Sequence, residues 1–168
     1  MKKIYAISGS ASINSSNRKL LVTLLSGLKD VSFDIDQQLV KLPLYTPEGD
    51  RGPTHQEVVE FRNQIKQADI VMISTPEYLH NIPAILKNGM EWLKTNGELY
   101  DKNVLAMTYT PHPPRGQYAM SSLLNSLRAL HARILLEIPL YQSEILQDNG
   151  SLKIPHDIVE TLRIAMDY

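Results

Sequence analysis

The chain has 168 residues, 43% of them apolar and 21% charged, with a net charge of −1 and no block of like charge. That is one domain's worth of chain with enough apolar residues for a core, and it lacks the basic face expected of a nucleic-acid binder. Cysteine is absent, which excludes disulfides, thiolate-held metals and thiol catalysis, so any redox chemistry has to come from a bound cofactor.

Residues Ile4 to Ser8 read as a first strand, preceded by two lysines. The apolar run is too short for a leader or a membrane span, so a cytoplasmic protein with no membrane segment is expected. Leu20, Leu21, Leu24, Leu25 and Leu28 repeat at helical spacing. Phe33, Ile35 and Leu39-Val40 fit a second strand. The stretch Leu42 to His55 holds Pro43, Pro47, Gly49, Gly52 and Pro53 and reads as a loop. Val58, Phe61, Ile65 and Ala68 mark a second helix, and Ile70 to Ser74 a third strand. The next helix carries Ile82, Ile85, Leu86, Met90 and Leu93, with Pro83 near its first position. Val104 to Thr108 is a fourth strand, and Met120, Leu123, Leu124, Leu127 and Leu130 a fourth helix. Ile134-Leu135-Leu136 opens a fifth strand that can continue past Pro139, and Ile158, Val159, Leu162, Ala165 and Met166 close with a helix.

Five strands alternating with five helices predict a parallel sheet covered on both faces. The expected fold is α/β, a flavodoxin-like three-layer α/β/α sandwich with strand order 2-1-3-4-5, and residues 1–168 form one domain. Ligands of such sheets bind beyond the carboxyl ends of the strands, at the switch point.

Two loops fall in that position. The first, Ser8 to Asn17, has a single glycine, Gly9, and so lacks both the dinucleotide fingerprint and the Gly-Lys-Ser/Thr phosphate loop. It offers hydroxyls and amides at Ser8, Ser10, Ser12, Asn14, Ser15, Ser16 and Asn17, leading into a helix whose free N–H groups suit a phosphate monoester. A plain helix cap from Ser15, Ser16 or Asn17 is the competing reading. The second loop follows the third strand. Pro76, Tyr78 and Pro83 stiffen it; Tyr78 can stack on a planar ring, and N–H groups near His80 and Asn81 can bond the ring's edge. The bland alternatives are that Tyr78 covers core, Glu77 is a solvated charge and His80 is an ordinary surface histidine. No metal-ligand cluster and no activated nucleophile is visible.

On two motifs the chain resembles the NAD(P)H-dependent FMN reductase family, which includes quinone, chromate and azo-dye reductases. One is Gly9-Ser10-Ala11-Ser12-Ile13-Asn14-Ser15-Ser16-Asn17, and the longer, more specific one runs from Pro76-Glu77-Tyr78 through Ile82-Pro83 and Leu86-Lys87-Asn88 to Trp92. The resemblance implies that Ser10, Ser12, Ser15, Ser16 and Asn17 hold the FMN phosphate. It implies a ring wall of Pro76, Glu77, Tyr78, Leu79, His80 and Asn81, with Thr108 and Gly116 of the strand-four loop beside it. It also implies NADPH or NADH as reductant, a small-molecule electron acceptor such as free flavin or a quinone, ping-pong turnover, and a homodimer or homotetramer built on the Pro83–Leu93 and Gln117–Leu130 helices. His80 and His112 are the candidates for proton donation. Three positions depart from the family pattern. Ser12 stands where an arginine is usual, with Arg18 a candidate replacement. Leu79-His80 replaces Asn-Gly, and Pro111, Pro113 and Pro114 occupy the strand-four loop. The competing function is a non-catalytic flavin-binding electron carrier or redox sensor, or a relative that has lost flavin.

Overall fold

The computed structural model describes residues 1–52, 55–148 and 151–167. Strands β1 (Lys2–Ser8), β2 (Val31–Ile35), β3 (Ile70–Thr75), β4 (Asn103–Thr110) and β5 (Arg133–Tyr141) form one parallel sheet in the order β2-β1-β3-β4-β5. The predicted topology is therefore correct. Strands β1, β3 and β4 are interior, which is why their sequences are continuous apolar runs rather than alternating ones. Strand β5 is an edge, and it tolerates Pro139 and a register shift opposite Val104 and Leu105.

Helices α1 (Ser16–Ser26), α2 (Pro47–Arg51), α3 (Gln56–Gln67), α4 (Ala84–Glu91), α5 (Gln117–Ala129) and α6 (His156–Met166) connect and cover the strands. Alternate strand residues feed two cores. Tyr5, Ile7, Val71, Ile73, Val104 and Ala106 pack with α3, α4 and α5. Ile4, Ala6, Ile70, Met72, Leu105 and Met107 pack with α1 and α6.

Four expectations need correction. Leu39-Val40 does not extend β2 but lies in a 3₁₀ turn, Leu39–Lys41. Asp36 sets that turn: its carboxylate accepts from the backbone N–H of Gln38 at 3.1 Å and of Leu39 at 3.0 Å, bending the chain out of the sheet. The region read as one loop contains α2, started by Pro47 at its first turn and by Thr46, whose hydroxyl accepts from Gly49 N at 3.0 Å. Pro53 of that region lies outside the described residues. The helix expected over Pro83–Leu93 is shorter, Ala84–Glu91, with Pro83 as its N-cap, next to the position expected for it. An additional antiparallel pair, β6 (Leu146–Asp148) with β7 (Ser151–Lys153), precedes α6.

The chain leaves β1 for β2 on one side and returns to β3 on the other, so the switch point lies between the carboxyl ends of β1 and β3. Among the described residues, no helix is long and apolar enough to cross a membrane.

Candidate active site

The loop after β1 is packed hard against β3. Gly9 N donates to Ser74 O at 2.8 Å. A side chain at Gly9 would put its Cβ 2.8 Å from both Leu86 Cδ2 and Thr75 Oγ1, so only glycine lets the loop lie this low. Ser15 N donates to Ser12 O at 3.1 Å, and the Ser8 and Ser15 hydroxyls meet at 3.3 Å, which folds residues 8–15 into a closed turn. Ser15 is the N-cap of α1, accepting from Arg18 N at 3.5 Å, and no acidic side chain occupies the first turn. That end of the helix stays electropositive.

The predicted phosphate residues separate into roles. Ser10, only 9% exposed, and Ser12 line a cavity of about 390 Å³ together with Arg18, Asp36, Gln37 and Lys41. Ser16 Oγ accepts from Gln142 Nε2 at 3.3 Å. Asn17 is a buried tie: Ser74 Oγ donates to its Oδ1 at 2.6 Å, and its Nδ2 donates to Tyr109 O at 3.2 Å. It locks the start of α1 to the carboxyl ends of β3 and β4 beneath the loop.

The second loop follows β3. Tyr78 and Asn81 exchange backbone hydrogen bonds, both 2.9 Å, around Leu79 and His80. Those two residues have φ of 50° and 59°, the left-handed pair of a tight hairpin turn. Glu77 is no solvated charge. Its side chain is 11% exposed, and its Oε2 accepts from Tyr118 N and Ala119 N, each at 3.0 Å, capping α5 from outside that helix. Asn81 Oδ1 accepts from Ile82 N at 2.8 Å and from Ser122 Oγ at 2.6 Å, a second link to α5. Tyr78 does not cover core, being 53% exposed, and Leu79 is 99% exposed. His80 stands at the surface with its ring edge-on to Tyr118, 4.6 Å between centroids, and Nδ1 3.8 Å from Glu77 Oε1.

The loop after β4 completes the rim. Gly116 has φ of 99°, and a Cβ there would sit 3.0 Å from Thr108 Oγ1. Thr108 is fully buried, and its hydroxyl has no hydrogen-bond partner among the described residues. Thr110 Oγ1 donates to Arg115 O at 2.8 Å, closing the loop on itself. His112 is exposed, with Nδ1 3.0 Å from Pro113 O.

Sequence reading missed the partners that α5 supplies and the buried pair Tyr5–Asp36. The Tyr5 hydroxyl donates to the Asp36 carboxylate. Burial pushes the Asp36 carboxyl above the usual carboxylate range, against the opposing pull of the Tyr5, Gln38 and Leu39 donors and the Arg18 charge.

Three loops from β1, β3 and β4 thus converge at the switch point, one leading into an electropositive helix end and two forming a stiff wall. The profile of the family described as NADPH-dependent FMN reductase matches residues 2–143. The chain belongs to that family. It is similar to the NADH:(hydroxy)cinnamate reductase subunit CrdA of Vibrio ruber, 36% identical over 136 residues, covering 80% of this chain and 62% of that protein. It is also similar to the NADH-dependent flavin reductase subunit 2 of Lactobacillus johnsonii, 34% identical over 57% of this chain and 50% of that protein. A third relative is a 2-hydroxy-1,4-benzoquinone reductase from a Burkholderia species, 38% identical over 54% of this chain and 49% of that protein. This family member therefore spans between about half and 62% of the length of these curated relatives. Its fold matches that of the flavoenzyme NAD(P)H:(acceptor) oxidoreductase FerB from Paracoccus denitrificans, with a TM-score of 0.78 over 99% of this chain and 94% of that one at 19% identity.

Proposed function

We propose that this chain is an FMN-dependent NAD(P)H oxidoreductase that passes electrons to a small-molecule acceptor such as free flavin or a quinone, in ping-pong order. The observation that carries the reading is the pairing of an anion-suited loop with a stiff polar wall, tied together through Asn17 at one switch point. The residues present fit FMN. The first turn of α1 has no acid, and Ser10 and Ser12 face a cavity. The Gly9 and Gly116 positions, where a Cβ would come within about 3 Å of neighbours, keep the loops low.

When bound, flavin supplies the two-electron exchange between nicotinamide and acceptor, and the protein's part is to bind and orient it. In this reading Ser10, Ser12, Ser15 and Ser16, with the α1 N–H groups, take the phosphate, while Asn17 acts one layer below as a positioning residue. Pro76, Tyr78 and the Leu79–Asn81 backbone wall the ring. Glu77 fixes that wall to α5, and Gly116 lets the strand-four loop lie close over Thr108. His80 and His112 are the imidazoles on these loops that could hand a proton to an acceptor.

A homodimer belongs to the same reading. The groove between α4 and α5, about 540 Å³, is lined by Met90, Tyr118, Ala129 and Leu130 among polar neighbours, and His80 from the wall reaches into it.

The test is spectroscopic. FMN added to the purified protein should lose fluorescence on binding, and anaerobic NADH or NADPH should bleach the bound flavin. Retention of FMN without bleaching would favour an electron carrier, and a protein that takes up no FMN would sink the proposal.

A further inference from the structure

The geometry points to Arg18 as the cation that grips the FMN phosphate, acting from the first turn of α1 rather than from the loop before it. The inference rests on the flavin reading above. Residues 8–17 contain no lysine or arginine, so the loop supplies no positive side chain of its own. The first turn of α1 reads Ser16-Asn17-Arg18, with Lys19 next and no acid. That is the reverse of what a helix N-terminus favours, since a cation there opposes the positive end of the dipole. A dianion at the loop would convert this opposition into attraction.

Arg18 is placed for that. Its half-buried side chain does not extend into solvent but turns along the β2 side of the helix, where Nη1 donates to Asp36 O at 3.1 Å. Its other guanidinium N–H groups have no partner among the described residues. It lines the same cavity as Ser10 and Ser12. Ser10 Oγ accepts from Ser12 N at 3.3 Å and keeps its own proton free to donate. Asp36 also borders the cavity, but its carboxylate is turned inward onto Tyr5, Gln38 and Leu39, and only its carbonyl meets Arg18. Anchored at one nitrogen, a planar guanidinium still has donors for a phosphate, and that bond is charge-assisted.

Comparing FMN with riboflavin, which lacks the phosphate, isolates the contact. Dissociation constants come from fluorescence quenching, for the wild type, Arg18→Ala and Arg18→Lys. Arg18→Ala should weaken FMN about 10–100-fold and leave riboflavin within about twofold. Arg18→Lys should recover part of the loss, because it keeps the charge without the planar fork. Equal weakening of both ligands would make Arg18 a structural residue, and an unchanged FMN constant would place the phosphate elsewhere; either overturns the inference while leaving the flavin reading intact. A wild type that binds riboflavin as well as FMN also overturns the inference alone. A wild type that binds neither overturns both. Should Arg18→Ala fail to fold, Arg18→Lys and the salt dependence of the wild-type preference decide: a preference for FMN that does not shrink as salt rises counts against it.

Discussion

At the scale of single residues, the site is notable for Leu79 and His80. Two consecutive side chains with positive φ fill a hairpin turn that Asn-Gly would fill with less strain. Leu79 makes this cleanly testable, because at 99% exposure it has little packing to lose. Leu79→Asn should raise stability by ~0.5–1 kcal/mol, since asparagine tolerates the left-handed region. Leu79→Val should lower it, and the two denaturation midpoints should move in opposite directions from the wild type. The same scale shows where residue-type reasoning falls short. Ser15 and Asn17 belong to one motif, yet Ser15 caps the helix at the loop and Asn17 faces down into β3 and β4. A sequence shows both as small polar residues two positions apart. The direction of each side chain follows from the helix that begins between them.

Among the elements, a buried polar network outside the site joins α2, α3 and the end of α4. From α3, Arg62 donates to Asp50 Oδ1 at 2.7 Å, reaches Trp92 O with both Nε and Nη2, and lies 3.5 Å from Glu98 Oε1. All three charged side chains are at least nine-tenths buried. Arg62→Met would strip the buried Asp50 and Glu98 carboxylates of their guanidinium, leaving Asp50 its Thr95 hydrogen bond, at a cost of ~3 kcal/mol at neutral pH. Burial alone would raise the Asp50 carboxyl, but the Thr95 and Arg62 hydrogen bonds and the Arg62 and Lys94 charges outweigh it and hold it below the usual range. A depressed folded pKa stabilises above the unfolded value and loses that contribution as pH falls through the folded one. The deficit of Arg62→Met should therefore narrow in acid, which urea titrations at pH 7 and about pH 3 can read. This network is invisible to periodicity, which reports apolar faces. So is the turn at Leu39: the apolar pair Leu39-Val40 carries a strand's composition, and the carboxylate of Asp36 overrides it. By contrast β1, β3 and β4 were legible because burial on both faces demands unbroken apolar runs.

For the whole molecule, the order β2-β1-β3-β4-β5 puts every site loop at the carboxyl end of the sheet's interior strands, and this followed from alternating elements and two family motifs. What did not follow was how the loops are joined, because Glu77 to α5 and Asn17 to Tyr109 pair residues far apart in the chain. A ligand that engages several loops at once stabilises the fold as a unit. FMN at a hundred times its dissociation constant should add ~2.7 kcal/mol, raising the melting temperature by several degrees in a thermal scan. Riboflavin at the same multiple of its own constant should give the same shift, so the comparison reports occupancy rather than chemistry. The Asn17 tie has a consequence of another kind. By pinning the start of α1 to both β3 and β4, it fixes the separation between the loop after β1 and the wall after β3. The protein carries a ruler, and a molecule that is to touch both marks has to match it in length.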